Sequence, residues 1–197
     1  MIVGIDEVGR GCMAGPLVAA AVVLDKPMRG LKDSKKLTRA ERVVLDVKIR
    51  NKAASFGIGW VMHDELDRVG MTQAVRLAME RALAAIKCDY DQVIIDGNYN
   101  YLKHIAKTET MIKADDKVKA VSAASIIAKV ARDTWMIEAA EQYPGYGFEK
   151  HVGYCTPSHR AAVAALGICD LHRKLFQPVK LALESAVEPI AVAEPTV

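Results

Sequence analysis

The sequence predicts one α/β domain, a mixed sheet flanked by helices, with a small helical part at the C-terminal end. Three observations carry this. Short runs rich in Val, Ile and Leu, at 2–5, 17–24, 56–62, 93–95 and 109–113, have the length and composition of strands. Longer stretches, from Thr38 to about Ala54, over 72–87 and from 115 to 142, carry helix-forming residues without interruption. A chain of 197 residues, 51% of them hydrophobic, is large enough to fill one core.

Taken in order, the first two runs are joined by the turn-like 9-GRGCMAGP-16, so an antiparallel hairpin of buried strands is expected. Thr38 and Glu41 make the T-x-x-E capping box that opens a helix. The run 56-FGIGWVM-62 reads as a strand weakened by glycine. Residues 72–87 form a helix of Ala, Leu, Met and Arg. The strand 93-VII-95 ends at Asp96-Gly97, and 109-ETMIK-113 leads to 115-DDK-117. From there to Gln142 neither Gly nor Pro appears, which predicts one long helix. Shorter helices are expected around 157–166 and 170–182. Past Glu184 the chain thins to Ala, Val, Glu and two prolines, so the domain is expected to span 1–183 and 184–197 to be a flexible tail.

Net charge is only +3, but it is unevenly spread. Residues 26–52 hold ten Lys or Arg against three acids, about +7, which points to an anionic partner near the N-terminal third. The apolar run 17–24 is too short to span a bilayer, which needs ~20 residues. Cys12, Cys88, Cys155 and Cys169 show no framework spacing, so a cytoplasmic, reducing location is expected. The cluster His151, Cys155, His159 holds zinc-capable groups, but Gly153 and Pro157 break a common helix face and the spacing is unfamiliar for zinc.

Asp6, Glu7, Asp96 and the pair Asp115/Asp116 each stand at the end of an apolar segment, where an α/β sheet opens to ligand. Neighbouring carboxylates repel, and divalent cations resolve this. Mg²⁺ prefers oxygen donors, and two such ions clamp phosphorus for in-line attack. Each acid also has a plainer use: Asp115 or Asp116 as a helix cap, Asp96-Gly97 as a turn. Residues on a strand alternate in direction, so Asp6 and Glu7 should face opposite ways if the strand continues. Asp133, eighteen residues beyond Asp115 on a continuous helix, would lie about 27 Å from it. It is expected to pair with Arg132 or a neighbour instead. The GRGCMAG turn fails as a dinucleotide fingerprint, since its third glycine is a residue late and a strand follows. Gly9 and Gly11 better suit close backbone approach to a ligand, with Arg10 beside them.

With these pieces in place, the sequence resembles the type 2 ribonucleases H (ribonuclease HII) over about residues 2–180. The likeness rests on GIDEVGRG (4–11), DSKKL (33–37), IIDG (94–97), KADD (113–116), SAASIIAKVARD (122–133), YGFEKHVGY (146–154) and HRKLFQPV (172–179). The resemblance implies a ribonuclease H-like fold and a two-metal site of Asp6, Glu7, Asp96 and Asp115 holding Mg²⁺ or Mn²⁺. It selects Asp115 over Asp116. It also implies hydrolysis of the RNA strand of RNA/DNA hybrids, and nicking at ribonucleotides embedded in duplex DNA, with 3′-hydroxyl and 5′-phosphate ends. Gly9, Arg10 and Gly11 would contact the ribonucleotide at the junction, Tyr154 would stack on the next deoxyribose, and Ser34 and Lys35 would contact phosphate. Cys12, Met13, Val152, Cys155 and Leu175 depart from the common pattern without removing a metal ligand. A junction-resolving nuclease of the same fold, or a non-catalytic nucleic-acid binder with the acids as caps, are the alternatives. Nothing in the sequence demands more than a monomer.

Overall fold

The hairpin forms as expected from β1 (Ile2–Val8) and β2 (Leu17–Val23), with Val3 opposite Val23 and Val8 opposite Val18. In this computed structural model, which describes residues 1–32 and 34–187, the hairpin is the centre of a five-stranded sheet. β3 (Ser55–Val61) pairs antiparallel with β2; β4 (Gln92–Asp96) and β5 (Thr108–Met111) extend the β1 side in parallel. The order β3-β2-β1-β4-β5 makes the sheet mixed.

Helices cover both faces: α1 (Arg39–Lys52), α2 (His63–Val69), α3 (Met71–Ala84), α4 (Ala114–Lys117) and α5 (Lys119–Gln142), then α6 (Phe148–His151), α7 (Pro157–Leu166) and α8 (Gln177–Val187). Strand alternation sorts the core. Val3, Ile5, Ala19 and Ile95 face α3 through Ala78 and Met79, while Val18, Ala20 and Val22 face Ala123 and Ile127 of α5. β2 is buried on both faces, which is why it reads as an unbroken apolar run. A third cluster, Met13, Met136, Phe148, Val163 and Val179, packs the C-terminal helices on the far half of α5. Thr38 closes its capping box: its hydroxyl accepts from Glu41 N at 3.3 Å and its own N–H donates to Glu41 at 2.7 Å.

Several expectations are corrected. Gly57 and Gly59 do not weaken β3; they admit α3. A Cβ at Gly59 would sit 1.9 Å from the Ala78 carbonyl oxygen, and one at Gly57 2.1 Å from that of Ala82. β1 runs three residues further than 2–5. The single helix expected over 115–142 breaks at Val118, whose extended backbone (φ −112, ψ 113) separates α4 from α5. α8 starts at Gln177, not 170, because the preceding segment is pinned to the loop after β1: Gly15 N–H donates to Leu171 O at 2.8 Å and Arg173 N–H to Met13 O at 2.9 Å. The boundary expected at 183 falls inside α8, and the rest of the expected tail, 188–197, lies outside the described residues, as does Asp33. α2, α6 and a 3-10 turn at Ser34–Lys36 are too short to announce themselves by periodicity. Among the described residues, no helix is long and apolar enough to cross a membrane.

Candidate active site

β1 and β4 run in parallel with Ile5 level with Ile95, so Asp6 and Asp96 come next at equal height on neighbouring strands. Gly4 of β1 faces α5, where a Cβ would lie 2.2 Å from Val121 N. By alternation Asp6 faces α5 too, and it takes a hydrogen bond from Ser125. The break at Val118 lets α4 carry Asp115 to the same place. There Ser122 Oγ holds the Asp115 carbonyl at 2.5 Å, and Asp96 Oδ1 accepts from Ala114 N at 2.7 Å. One carboxylate oxygen from each of Asp6, Asp96 and Asp115 thus lies within 4.8 Å of the others. Asp116, one residue on, forms an ion pair with Lys36 at 2.6 Å.

Glu7 lies outside this trio and sits 3.3 Å from the Arg10 guanidinium. It still shares a cleft of about 470 Å³ with Asp6, Asp96, the glycine turn Gly9–Arg10–Gly11, Ser34, Lys35 and Tyr154. A second cleft of about 560 Å³, holding Asp115 and Asp116, meets the first at Asp96 and Lys35. The acids therefore lie at the seam of two grooves. Ser34 is buried with its hydroxyl 2.8 Å from Ser125 Oγ, whereas Lys35 is exposed at the seam. Tyr154 packs beside the glycine turn through a bridge to Cys12, with Lys129 Nζ 4.9 Å from its ring centre. Burial pushes its phenol up to about 12, so it stays neutral.

Burial, then the charges of Glu7 and Asp96, raise the Asp6 carboxyl well above the usual range, against the hydrogen bond from Ser125. Glu7 is raised by burial, with Arg10 opposing. Hard oxygen donors that repel one another in a buried setting fit a divalent cation of the Mg²⁺ or Mn²⁺ kind.

Asp133 does not join them. Lys129 Nζ lies 2.9 Å and Arg42 4.0 Å from its oxygens, while Arg132 turns to backbone carbonyls. The histidine cluster gathers a different set: His159 Nε2 lies 3.1 Å from His172 Nε2, and Cys155 Sγ lies 3.8 Å from Arg160 Nη1. Ser125, Arg42 and Lys129 line the cleft without having been singled out. A signal existed for two of them: Ser122, Ser125, Lys129 and Asp133 fall at helical spacing in an otherwise apolar stretch.

Residues 3–179 match the family model described as Ribonuclease HII. A protein of Delftia acidovorans named Ribonuclease HII is 45% identical over 197 residues, covering 98% of this chain and 83% of that protein. One of Polynucleobacter necessarius with the same name is 47% identical over 93% of this chain and 96% of its own length. Among solved structures, ribonuclease H2 from Pyrococcus horikoshii aligns with a TM-score of 0.77 and 26% identity over 93% of this chain and 97% of its own. The ribonuclease HII of Archaeoglobus fulgidus, solved in complex with PCNA, aligns at 0.74 and 28% over 88% and 92%. A family match across nearly the whole chain, at these identities and on this fold, leads to one conclusion: the chain belongs to the ribonuclease HII family.

Proposed function

We propose that this protein hydrolyses the RNA strand of RNA/DNA hybrids and nicks duplex DNA at embedded ribonucleotides, using a pair of Mg²⁺ or Mn²⁺ ions. As a family member the chain is a metal-dependent ribonuclease; the substrate detail and the metal pair are our reading. The observation that carries it is the convergence of Asp6, Asp96 and Asp115, from three separate elements, beside a glycine turn whose Arg10 and Gly11 are exposed. In this reading Asp6, Asp96 and Asp115 hold the cations, with Glu7, which lines the same cleft, as the fourth carboxylate ligand. Bound there, the ions supply Lewis acidity that activates water and offsets charge building at phosphorus. The chain's own residues choose the linkage. Gly11 has open space where a Cβ would stand, so its backbone can meet a ribose 2′-hydroxyl, the group that distinguishes RNA from DNA. The neutral Tyr154 ring packs on the neighbouring sugar, and Lys35 meets phosphate at the seam.

The test is cleavage of three labelled duplexes (one embedded ribonucleotide, a full hybrid, all DNA) with either metal. Cutting of the first two with 3′-hydroxyl and 5′-phosphate ends, and none of the third, is expected. Equal cutting of all-DNA duplex would favour a junction-type nuclease. Chelator-insensitive binding without product would mark a non-catalytic binder.

A further inference from the structure

Two arginines are wholly buried in the protein, Arg132 of α5 and Arg173 in the link before α8, each with 0% exposure. Among the described residues, neither guanidinium has a carboxylate within ion-pair distance. A buried charge without a counter-charge is costly unless its donors are satisfied. Both find backbone carbonyls instead. Arg132 donates from Nε to Pro16 O (2.8 Å), from Nη1 to Val152 O (2.8 Å) and from Nη2 to Ala14 O (3.1 Å). Arg173 donates from Nε to Gly15 O (2.9 Å), from Nη1 to Gly9 O (2.6 Å) and from Nη2 to Pro16 O (3.0 Å). Burial draws Arg173 down to about 10, which leaves it protonated at neutral pH.

Arg132 bridges two loops, the segment from Gly9 to Pro16 and the turn that ends in Tyr154, whereas the Arg173 acceptors all lie in the first. These loops are the two walls of the proposed ribonucleotide reader. Two further observations link Arg132 to the shape of these loops. Val152, accepting from Arg132, is held in the left-handed region (φ 42, ψ 42), an outlier conformation for a β-branched residue that persists only where surroundings impose it. Gly9 (φ +99) packs so closely on the Arg132 side chain that a Cβ would lie 2.6 Å from Nε.

We propose that Arg132, which ties the two loops together, and Arg173, which fixes the shape of the first, are positioning residues that set the separation between the glycine turn and Tyr154, and thereby set the preference for a ribonucleotide followed by deoxyribonucleotide. The planar fork lets Arg132 span carbonyls of both loops at once and lets Arg173 gather several carbonyls of the first; a lysine keeps the charge but not the fork. This rests on the reading of the cleft given above, so the wild-type enzyme is the first arm of the test. If it fails to cut a duplex with one embedded ribonucleotide, the functional reading is what fails.

The second arm compares Arg132→Lys and Arg173→Lys with wild type, as the ratio of kcat/KM on the embedded ribonucleotide to that on a continuous hybrid. Both substrates see the same enzyme preparation, so loss of folded protein cancels from the ratio. A continuous hybrid offers Tyr154 no deoxyribose on the cut strand, so a misplaced wall affects it less. A fall in the ratio of about tenfold is expected, within the ~10²-fold that a misplacement of about 1 Å can cost. In a Tyr154→Ala background the same lysine substitutions should leave the ratio unchanged, since the wall they position is gone. An unaltered ratio in the single variants would overturn the proposal, as would an equal fall with and without Tyr154. Lysine variants that lack a cooperative melt would also overturn it, showing that the arginines serve the fold rather than the spacing.

Discussion

At the scale of single residues, Asp6 is where this protein concentrates electrostatic cost. It is a carboxylate on a central strand, raised by burial and by Glu7 and Asp96, and opposed by the hydrogen bonds from Ser125 and from the Glu7 N–H at 2.8 Å. On the proposed reading, this cost is retained for the cation that Asp6 would hold. Asp6→Asn is therefore expected to raise the melting temperature of metal-free protein at neutral pH, by a few degrees per ~1 kcal/mol regained. It should also cut ribonuclease activity by about two to three orders of magnitude, the size of a lost transition-state electrostatic interaction. Thermal melts in chelator and single-turnover cleavage check both; a variant less stable than wild type, or fully active, would contradict it. Asp6 was legible in the sequence because an acid directly after a core strand has few structural uses. Asp115 was not separable from Asp116 by residue type. What separates them is the direction of one helical turn, which puts Asp116 on Lys36 and Asp115 on the trio.

At the scale of elements, long segments with strong periodicity were readable, and so was the Thr38 cap. The Val118 break was not, because no Gly or Pro marks it; it follows from packing α5 on β1 while bringing α4 over Asp96. Contacts between the late elements were equally invisible. His151 of α6, His159 of α7 and His172 before α8 meet in one buried layer, with the His151 and His159 rings stacked at 4.2 Å. His159 Nδ1 donates to Tyr154 O at 2.9 Å, so its Nε2 accepts from His172 Nε2, and His172 Nδ1 accepts from Cys169 N at 2.9 Å. Burial, with the facing His151 and, for His172, His63, pulls both His159 and His172 down to about 4. The unfolded chain takes up these protons near 6.5, so the stability they contribute is intact above that pH and lost as pH falls toward 4. The loss is on the order of 3 kcal/mol at most for each. Urea denaturation at pH 7.5, 6 and 5 should show falling stability. Asp6 and Glu7, both raised by burial, work in the opposite direction over part of this window, so the comparison belongs in Asp6→Asn, Glu7→Gln. A flat profile there would mean that these histidines are not held neutral.

For the whole molecule, the mixed sheet, its helical cover and the C-terminal helices followed from pattern and from family resemblance. The convergence came from the resemblance alone, not from pattern. Three acids spaced ninety and nineteen residues apart along the chain meet because β1 and β4 are in parallel register and α4 turns back over their ends. Pattern shows each segment alone, and only the assembled sheet shows which ends are neighbours. The Arg132 and Arg173 contacts are of the same kind, linking carbonyls 157 or more residues away in the case of Arg173. The most direct test of the central claim is Mn²⁺ binding by isothermal titration to wild type, Asp115→Asn and Asp116→Asn. These are adjacent residues of the same type, distinguished by where they point and by the family resemblance. A loss of at least about tenfold in affinity for Asp115→Asn, with Asp116→Asn close to wild type, is the predicted result. Equal affinities in all three proteins, or a loss confined to Asp116→Asn, would contradict it.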